Sequence, residues 1–313
     1  MATTQERIEE PVASPAPESA EQYRSLRSDV WRQFKRHKGA LVGLVLLAIM
    51  VFACVLGPAI WQGDGVTPDT ANANQTPSWE HPMGTDNLGR DTMARVLVGG
   101  RVSLAVGFTA MVVGIVLGTT IGVLSGFFRK LDAPLMRITD LFLALPILPL
   151  LLVVMMLFRE PLTEAFGNET GVFILVVGII GATSWMTTSR VVRGQVLSVK
   201  EKEFVLAAHS IGTRQRNVVL RHILPNVLSP VIVAAALGVA AAIITESALS
   251  FLGLGFPPDF PTWGRLLYDS KDYLPTNPWR VIWPGLMISL TVLSVNFIGD
   301  GLRDALDPKL RSR

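Results

Sequence analysis

Apolar residues fall in six stretches long enough to cross a bilayer, whose core of roughly 30 Å takes about 20 residues at 1.5 Å each. They run from Gly39 to Ile60, Ser103 to Phe128, Ile138 to Phe158, Gly171 to Ser189, Val227 to Leu254 and Val281 to Ile298. The first has 38 residues before it and 22 of its own, too many for a secretory signal core, and it is expected to remain as an anchor. Upstream, Tyr23, Leu26, Val30, Trp31 and Phe34 recur at helical spacing, with Arg24, Arg27, Arg32, Lys35 and Arg36 on the other faces. That pattern predicts an interfacial amphipathic helix over residues 22–38, although a solvated helix packed on cytoplasmic protein would show it too. Residues 1–21 are rich in Ala, Pro, Glu and Ser and read as a disordered tail. The expected fold is an all-α polytopic membrane protein of six transmembrane helices.

Composition supports this and removes alternatives. Half of the 313 residues are apolar and 17% are charged, against about 25% charged in soluble domains. An ordinary soluble enzyme is excluded. The net charge of +3 gives no sign of a nucleic-acid partner, but its distribution is informative. Residues 1–38, 129–137, 190–226 and 299–313 hold 21 of the 28 Lys and Arg, leaving 7 in residues 61–102, 159–170 and 255–280. By the positive-inside rule the first set is cytoplasmic, and both termini with it. With acids counted, the inner segments carry +9 and the outer ones −4. A single cysteine, Cys54, excludes an internal disulfide or a paired-thiol metal site. His37, His81, His209 and His222 all lie outside the apolar stretches, so an intramembrane Ser-His protease would lack its base. No GxxxxGK[ST] loop is present, so no nucleotide cofactor is expected here and any ATP and Mg would belong to another subunit.

Within the spans, Gly114, Gly118, Gly122 and Gly126 recur every four residues and form a bare stripe that admits close approach of another helix. Pro146 and Pro149 each remove a backbone donor from the third stretch, which is expected to be bent or discontinuous and is a candidate pathway element. Asp140 and Glu246 are the two acids inside apolar stretches. Each needs a partner or water, since an acid at mid-membrane costs about 2.5–3.5 kcal/mol on insertion scales. Arg137, one turn away, is the expected partner of Asp140. Glu246 is a candidate gate or cavity contact, or a structural hydrogen bond to a neighbouring helix. His81, Asp86 and Asp91 are metal-ligating types, but their spacing matches no metal site, and Pro82, Gly84 and Gly89 read as a turn-rich outer loop.

The inner segment 190–226 carries the most specific signal. Glu203 and Ala207 share a helical face, Ala207 and Ala208 keep that helix slim, and Gly212 suits a left-handed end. A second helix is expected to follow and stop before Pro225. E-x3-A-A-x3-G followed by I-L-P, running from Glu203 to Leu224 and Pro225, resembles the EAA loop of permease subunits of bacterial ATP-binding-cassette importers. Three further stretches narrow the resemblance: His81 to Asp91, Ala248 to Gly264, and Gly299 to Pro308. Together they resemble the C-type permease of dipeptide, oligopeptide and nickel importers over about residues 24–310, with Phe204 where relatives often carry Tyr.

The resemblance implies a MetI-like, type I importer permease that performs no covalent chemistry. It implies a second, homologous permease as heterodimer partner, two cytoplasmic ATP-binding subunits seated on the Glu203–Pro225 loop, and an extracytoplasmic substrate-binding protein. It implies alternating access for peptide, or for nickel or another small solute on the same architecture. From the residues alone, a stand-alone channel or ion-coupled carrier lined by Glu246 and Asp140 stays open.

Overall fold

The structure, a computed structural model, describes residues 26–306. The tail expected over residues 1–21, the start of the amphipathic helix and the end of the C-terminal segment lie outside the described residues.

Among the described residues eleven α-helices follow one another: α1 (Leu26–Arg36), α2 (Lys38–Ile60), α3 (Thr92–Phe127), α4 (Arg129–Ala144), α5 (Ile147–Phe166), α6 (Asn168–Lys200), α7 (Glu203–Ser210), α8 (Gln215–Asn217), α9 (Leu224–Phe251), α10 (Trp263–Ser270) and α11 (Trp279–Leu306). Five helices are long and apolar enough to cross a membrane, and the α4–α5 pair is a sixth span if its two halves count as one. The chain is an all-α polytopic membrane protein.

The spans are longer than their apolar cores. α3 starts at Thr92, eleven residues before the expected Ser103, because Asp91 caps it by accepting the Ala94 N–H at 2.7 Å. α6 continues through the expected inner loop as far as Lys200. The largest change concerns Pro225. A six-residue π turn, Val218–Ile223, joins α8 to α9, and Leu224 N–H donates to Val219 O, five residues back. The wider turn carries the chain past a proline that in a regular α-helix would press on the carbonyl four residues earlier. The helix therefore does not stop before Pro225, and Gln215–Phe251 is one rod.

The third apolar stretch is two helices meeting at 89°. Only Pro146 is at the break, as the N-cap of α5. Pro149 falls in the first turn of α5, where backbone donors have no partner in the helix, so it breaks nothing. Asp140 pairs with Arg190 of α6, not with Arg137. Nearby, Arg193 of α6 grips both oxygens of Asp132 on α4, at 2.5 and 2.7 Å. Two arginines on one face of α6 thus secure α4, an arrangement that local spacing within α4 could not show.

α3 and α6 pack side by side along most of their length, with α9 across them. One apolar core lies among α3, α5, α6 and α9 around Val106, Leu151, Met155 and Ile180. A second, around the C-terminal end of α6, gathers Val192, Val196, Val205, Ala208, Ile223 and Val227. α1 lays Phe34 against Ala40 and Ala305, covering the C-terminal end of α11. Trp31 on the same helix is exposed, with Lys35 Nζ 5.0 Å above its ring. The helix predicted to be amphipathic thus turns its Phe34 side onto the chain itself.

Candidate functional site

The elbow between α6 and α9 is built from the end of α6 onward. α6 ends at Lys200, whose Nζ donates to Gly126 O at 3.0 Å and so ties the elbow to the foot of α3. Lys202 turns the chain into α7, which is eight residues long. Val205 and Ala208 face inward and pack with Val218 and Ile223 in the second core. Glu203, Ala207 and Gly212 face outward. So do three large apolar side chains, Phe204, Leu206 (53% exposed) and Ile211 (82%). Gly212 closes α7 at φ +76°, with open space where a side chain would stand, and Gly212 N–H donates to His209 O at 3.0 Å. The left-handed turn needs glycine for its backbone, not for room. The loop residues are therefore together: Ala208 roots the elbow, and Glu203, Ala207 and Gly212 form its surface. Leu224 and Pro225 begin α9, so the π turn runs without a break into a helix long and apolar enough to cross a membrane.

The glycine stripe has a definite partner. A Cβ on Gly114, Gly118, Gly122 or Gly126 would stand 2.8, 2.6, 2.6 or 2.7 Å from Ser184, Thr188, Val192 or Val196, which repeat along α6 with the same four-residue period. Gly181 on α6 is the reciprocal contact, where a Cβ would meet Val113 at 2.6 Å. Neither helix tolerates a side chain at these crossings, so α3 and α6 form a rigid pair.

Glu246 is fully buried near the C-terminal end of α9. Ser250 Oγ donates to one carboxylate oxygen at 2.8 Å and Ser103 Oγ to the other at 3.3 Å. Ser103 Oγ also accepts the Trp263 N–H at 3.1 Å. Thr262, which caps α10 by accepting the Arg265 N–H, stands beside the same carboxylate. Glu246 thus links α3, α9 and the start of α10 through hydroxyl groups.

Above it lies a polar cap that the charge counts did not locate. Arg95 on α3 reaches Asp86 (Nη1 to Oδ2, 2.6 Å), Asp269 (Nη2 to Oδ2, 3.6 Å) and Pro258 O (3.1 Å), joining three segments of the chain. Arg280, at the start of α11, donates to Asn74 and Asn87 at 2.9 and 3.0 Å. Burial pushes the Asp86 carboxyl upward, but the Arg95 charge, the Arg90 N–H and the Arg90 charge outweigh it and hold Asp86 below the ordinary carboxylate range. For Asp269 burial prevails over Arg265 and Arg95, and its carboxyl is raised. Asp86 therefore turns to arginines, while His81 Nδ1 lies 2.7 Å from Asp91 Oδ2. Among the described residues no three metal-ligating side chains come together.

Arg95→Met is expected to leave Asp86 and Asp269 buried without their shared cation and to destabilise the chain by about 3–5 kcal/mol, as for other broken buried pairs. Thermal unfolding in detergent measures this. Because the Asp86 pKa is lowered on folding, its contribution is present above the unfolded value near 4 and disappears as the pH falls below it. The deficit of Arg95→Met should accordingly shrink on acidification.

None of Arg95, Asp269 and Arg280 stood out in the sequence, and Trp263 did so only as part of the Ala248–Gly264 stretch. The one available signal was Asp91-Thr92, a helix-start pair that would have placed Arg95 on the first turn of α3.

Comparison with known proteins is consistent with this architecture. Residues 102–312 match the family model for binding-protein-dependent transport system inner membrane components. Residues 25–77 match the N-terminal transmembrane domain of oligopeptide transport permease C. The chain is 38% identical to the dipeptide transport system permease protein DppC of Alkalihalophilus pseudofirmus, over 96% of this chain and 95% of that one. It is 36% identical to the oligopeptide transport system permease protein OppC of Bacillus subtilis, over 92% and 91%. It is 39% identical to OppC of Haemophilus influenzae, over 96% and 94%. The chain belongs to the binding-protein-dependent transport system inner membrane components, as a permease of the DppC/OppC type.

Proposed function

We propose that the chain is one of two different membrane subunits of an ATP-driven importer of di- or oligopeptides, working by alternating access in the cytoplasmic membrane with both termini inside. A second permease encloses the path with it, two ATPase subunits dock on α7, and an extracytoplasmic binding protein delivers the cargo. The observation that carries this reading is the elbow itself. It is a short, slim helix on the side of excess positive charge, rooted through Val205 and Ala208, with Phe204, Leu206 and Ile211 exposed at its surface. Exposed apolar groups clustered on a rigid projection suit insertion into a groove of a soluble partner. α6 and α9 leave the elbow in opposite directions along the chain, so closure of the ATPases around α7 would rock both. The bend at Pro146 exposes Leu145, Ile147 and Leu148 and is the proposed flexible part of the path.

Glu203→Lys and Gly212→Asp test the coupling role. Both positions are exposed, so the assembled complex should still be recovered from the membrane, while uptake per ATP hydrolysed falls about tenfold or more, the scale of losing an interface anchor. Gly212→Asn, which tolerates the left-handed turn without a charge, should retain most of the coupling. Normal uptake in both charged variants would refute the assignment, as would transport by the purified chain alone on an ion gradient. Mass spectrometry of ligand released from the complex distinguishes the cargo: free peptides support the reading, and a metal without peptide replaces it with the nickel alternative.

A further inference from the structure

Trp79 stands wholly in solvent, 100% exposed, between the ends of α2 and α3. Its position is held tightly. Ser78 N–H donates to His81 O at 2.9 Å and His81 N–H to Ser78 Oγ at 3.0 Å, which leaves Trp79 and Glu80 at the tip of a turn. The base of the turn is fastened to the bundle. His81 Nδ1 lies 2.7 Å from Asp91, which also caps α3 and accepts Trp61 Nε1–H at 3.1 Å. Gln75 N–H donates to Thr85 Oγ1 at 2.8 Å on the other side. An indole presented on so stiff a base has little backbone freedom to lose on contact, and tryptophan is the residue that most often anchors an interface.

The surroundings select the kind of surface it meets. Residues 61–89 contain no Lys or Arg and four acids, Asp64, Asp69, Glu80 and Asp86, of which only Asp86 is buried against arginines. Such a segment is repelled by anionic lipid headgroups, to which basic segments bind. Asp91, at the base of the turn, stands beside Trp61, just past the end of α2 at Ile60, so the turn lies beyond the apolar stretch of α2.

We infer that the Trp79-Glu80 turn is the anchor by which a soluble extracytoplasmic binding protein docks, the indole entering an apolar pocket on that protein and Glu80 facing a cationic rim. This rests on the reading of the chain as part of a binding-protein-dependent importer and adds to it the surface used. The test is titration of the complete transporter, reconstituted in nanodiscs, with the binding protein that co-purifies with it, loaded from a peptide digest, while ATP hydrolysis is followed. For Trp79→Ala the half-saturating concentration should rise about tenfold or more with the maximal rate preserved. Trp79→Phe should recover part of that loss, and Glu80→Lys should raise the half-saturation most at low salt. Unchanged half-saturation in Trp79→Ala, with wild type stimulated normally, overturns the anchor alone. A defect that follows the anionic lipid content of the nanodisc instead of the binding-protein concentration also overturns it, in favour of a membrane contact. A wild-type complex that no binding protein stimulates overturns the importer reading and the anchor together.

Discussion

Gly122→Ala is expected to destabilise the chain, although at a solvent-exposed helical position the same change would stabilise it by about 1 kcal/mol. The reason is the α3–α6 crossing. An added methyl would stand 2.6 Å from Val192 Cβ and 2.7 Å from Ser189 O. The second of these is backbone, which cannot rotate away, so the helices must separate. Overpacking of this kind costs about 1–3 kcal/mol, and the loss spreads along the stripe because Gly118 and Gly126 meet α6 in the same way. Gly118→Ala combined with Gly122→Ala should leave little folded protein after detergent extraction, as read by the monodisperse fraction and by denaturant unfolding. Gly178 supplies the control. It also lies in α6, but a Cβ added there would have nothing within 4 Å, so Gly178→Ala should be neutral or slightly stabilising. Equal behaviour of Gly122→Ala and Gly178→Ala would show that the crossing does not set stability.

The stripe was visible in the sequence because its period keeps to one helical face, and four glycines cannot repeat at that period without leaving a groove. What fills the groove was not visible. Ser184, Thr188, Val192 and Val196 carry the same spacing, but so do many residues of an apolar helix. The number of spans was legible for a related reason, since bilayer thickness converts directly into stretch length. Helix ends were less so, because they depend on caps and on tertiary support. Asp91 starts α3 well outside its apolar stretch, and the π turn before Pro225 absorbs a residue that local rules treat as a stop. The elbow at Glu203 to Gly212 was recognisable as a motif, yet its division into an inward pair, Val205 and Ala208, and an outward surface required the packing beneath it. The outer cap was least legible. Arg95, Asp86 and Asp269 come from three segments of the chain, and only the fold brings them together.

Glu246→Leu should loosen the segment between α9 and α10 from the bundle while leaving the spans in place. Leucine fills a similar volume but accepts no hydrogen bond, so the Ser103 and Ser250 hydroxyls that now donate to the carboxylate would lose their acceptor in a buried site. Each orphaned group costs about 1–3 kcal/mol. The loss reaches α10 because Ser103 Oγ also accepts the Trp263 N–H, and Trp263 is itself buried with its indole N–H donating to Val96 O at 3.0 Å. With the Ser103 hydroxyl no longer oriented by the carboxylate, its hold on the Trp263 N–H weakens, and residues 252–262 and the first turn of α10 should exchange amide hydrogens faster, while α6 and the elbow keep their protection. Glu246→Gln provides the contrast. Its carbonyl still accepts from one serine and its size is unchanged, so exchange near Trp263 should stay close to wild type. If Glu246 instead serves as a charged contact on the transport path, Glu246→Gln and Glu246→Leu would lose uptake equally and leave exchange at Trp263 unchanged. The difference between the two variants is therefore the measurement that separates a carboxylate holding the segment between α9 and α10 from one exposed to cargo.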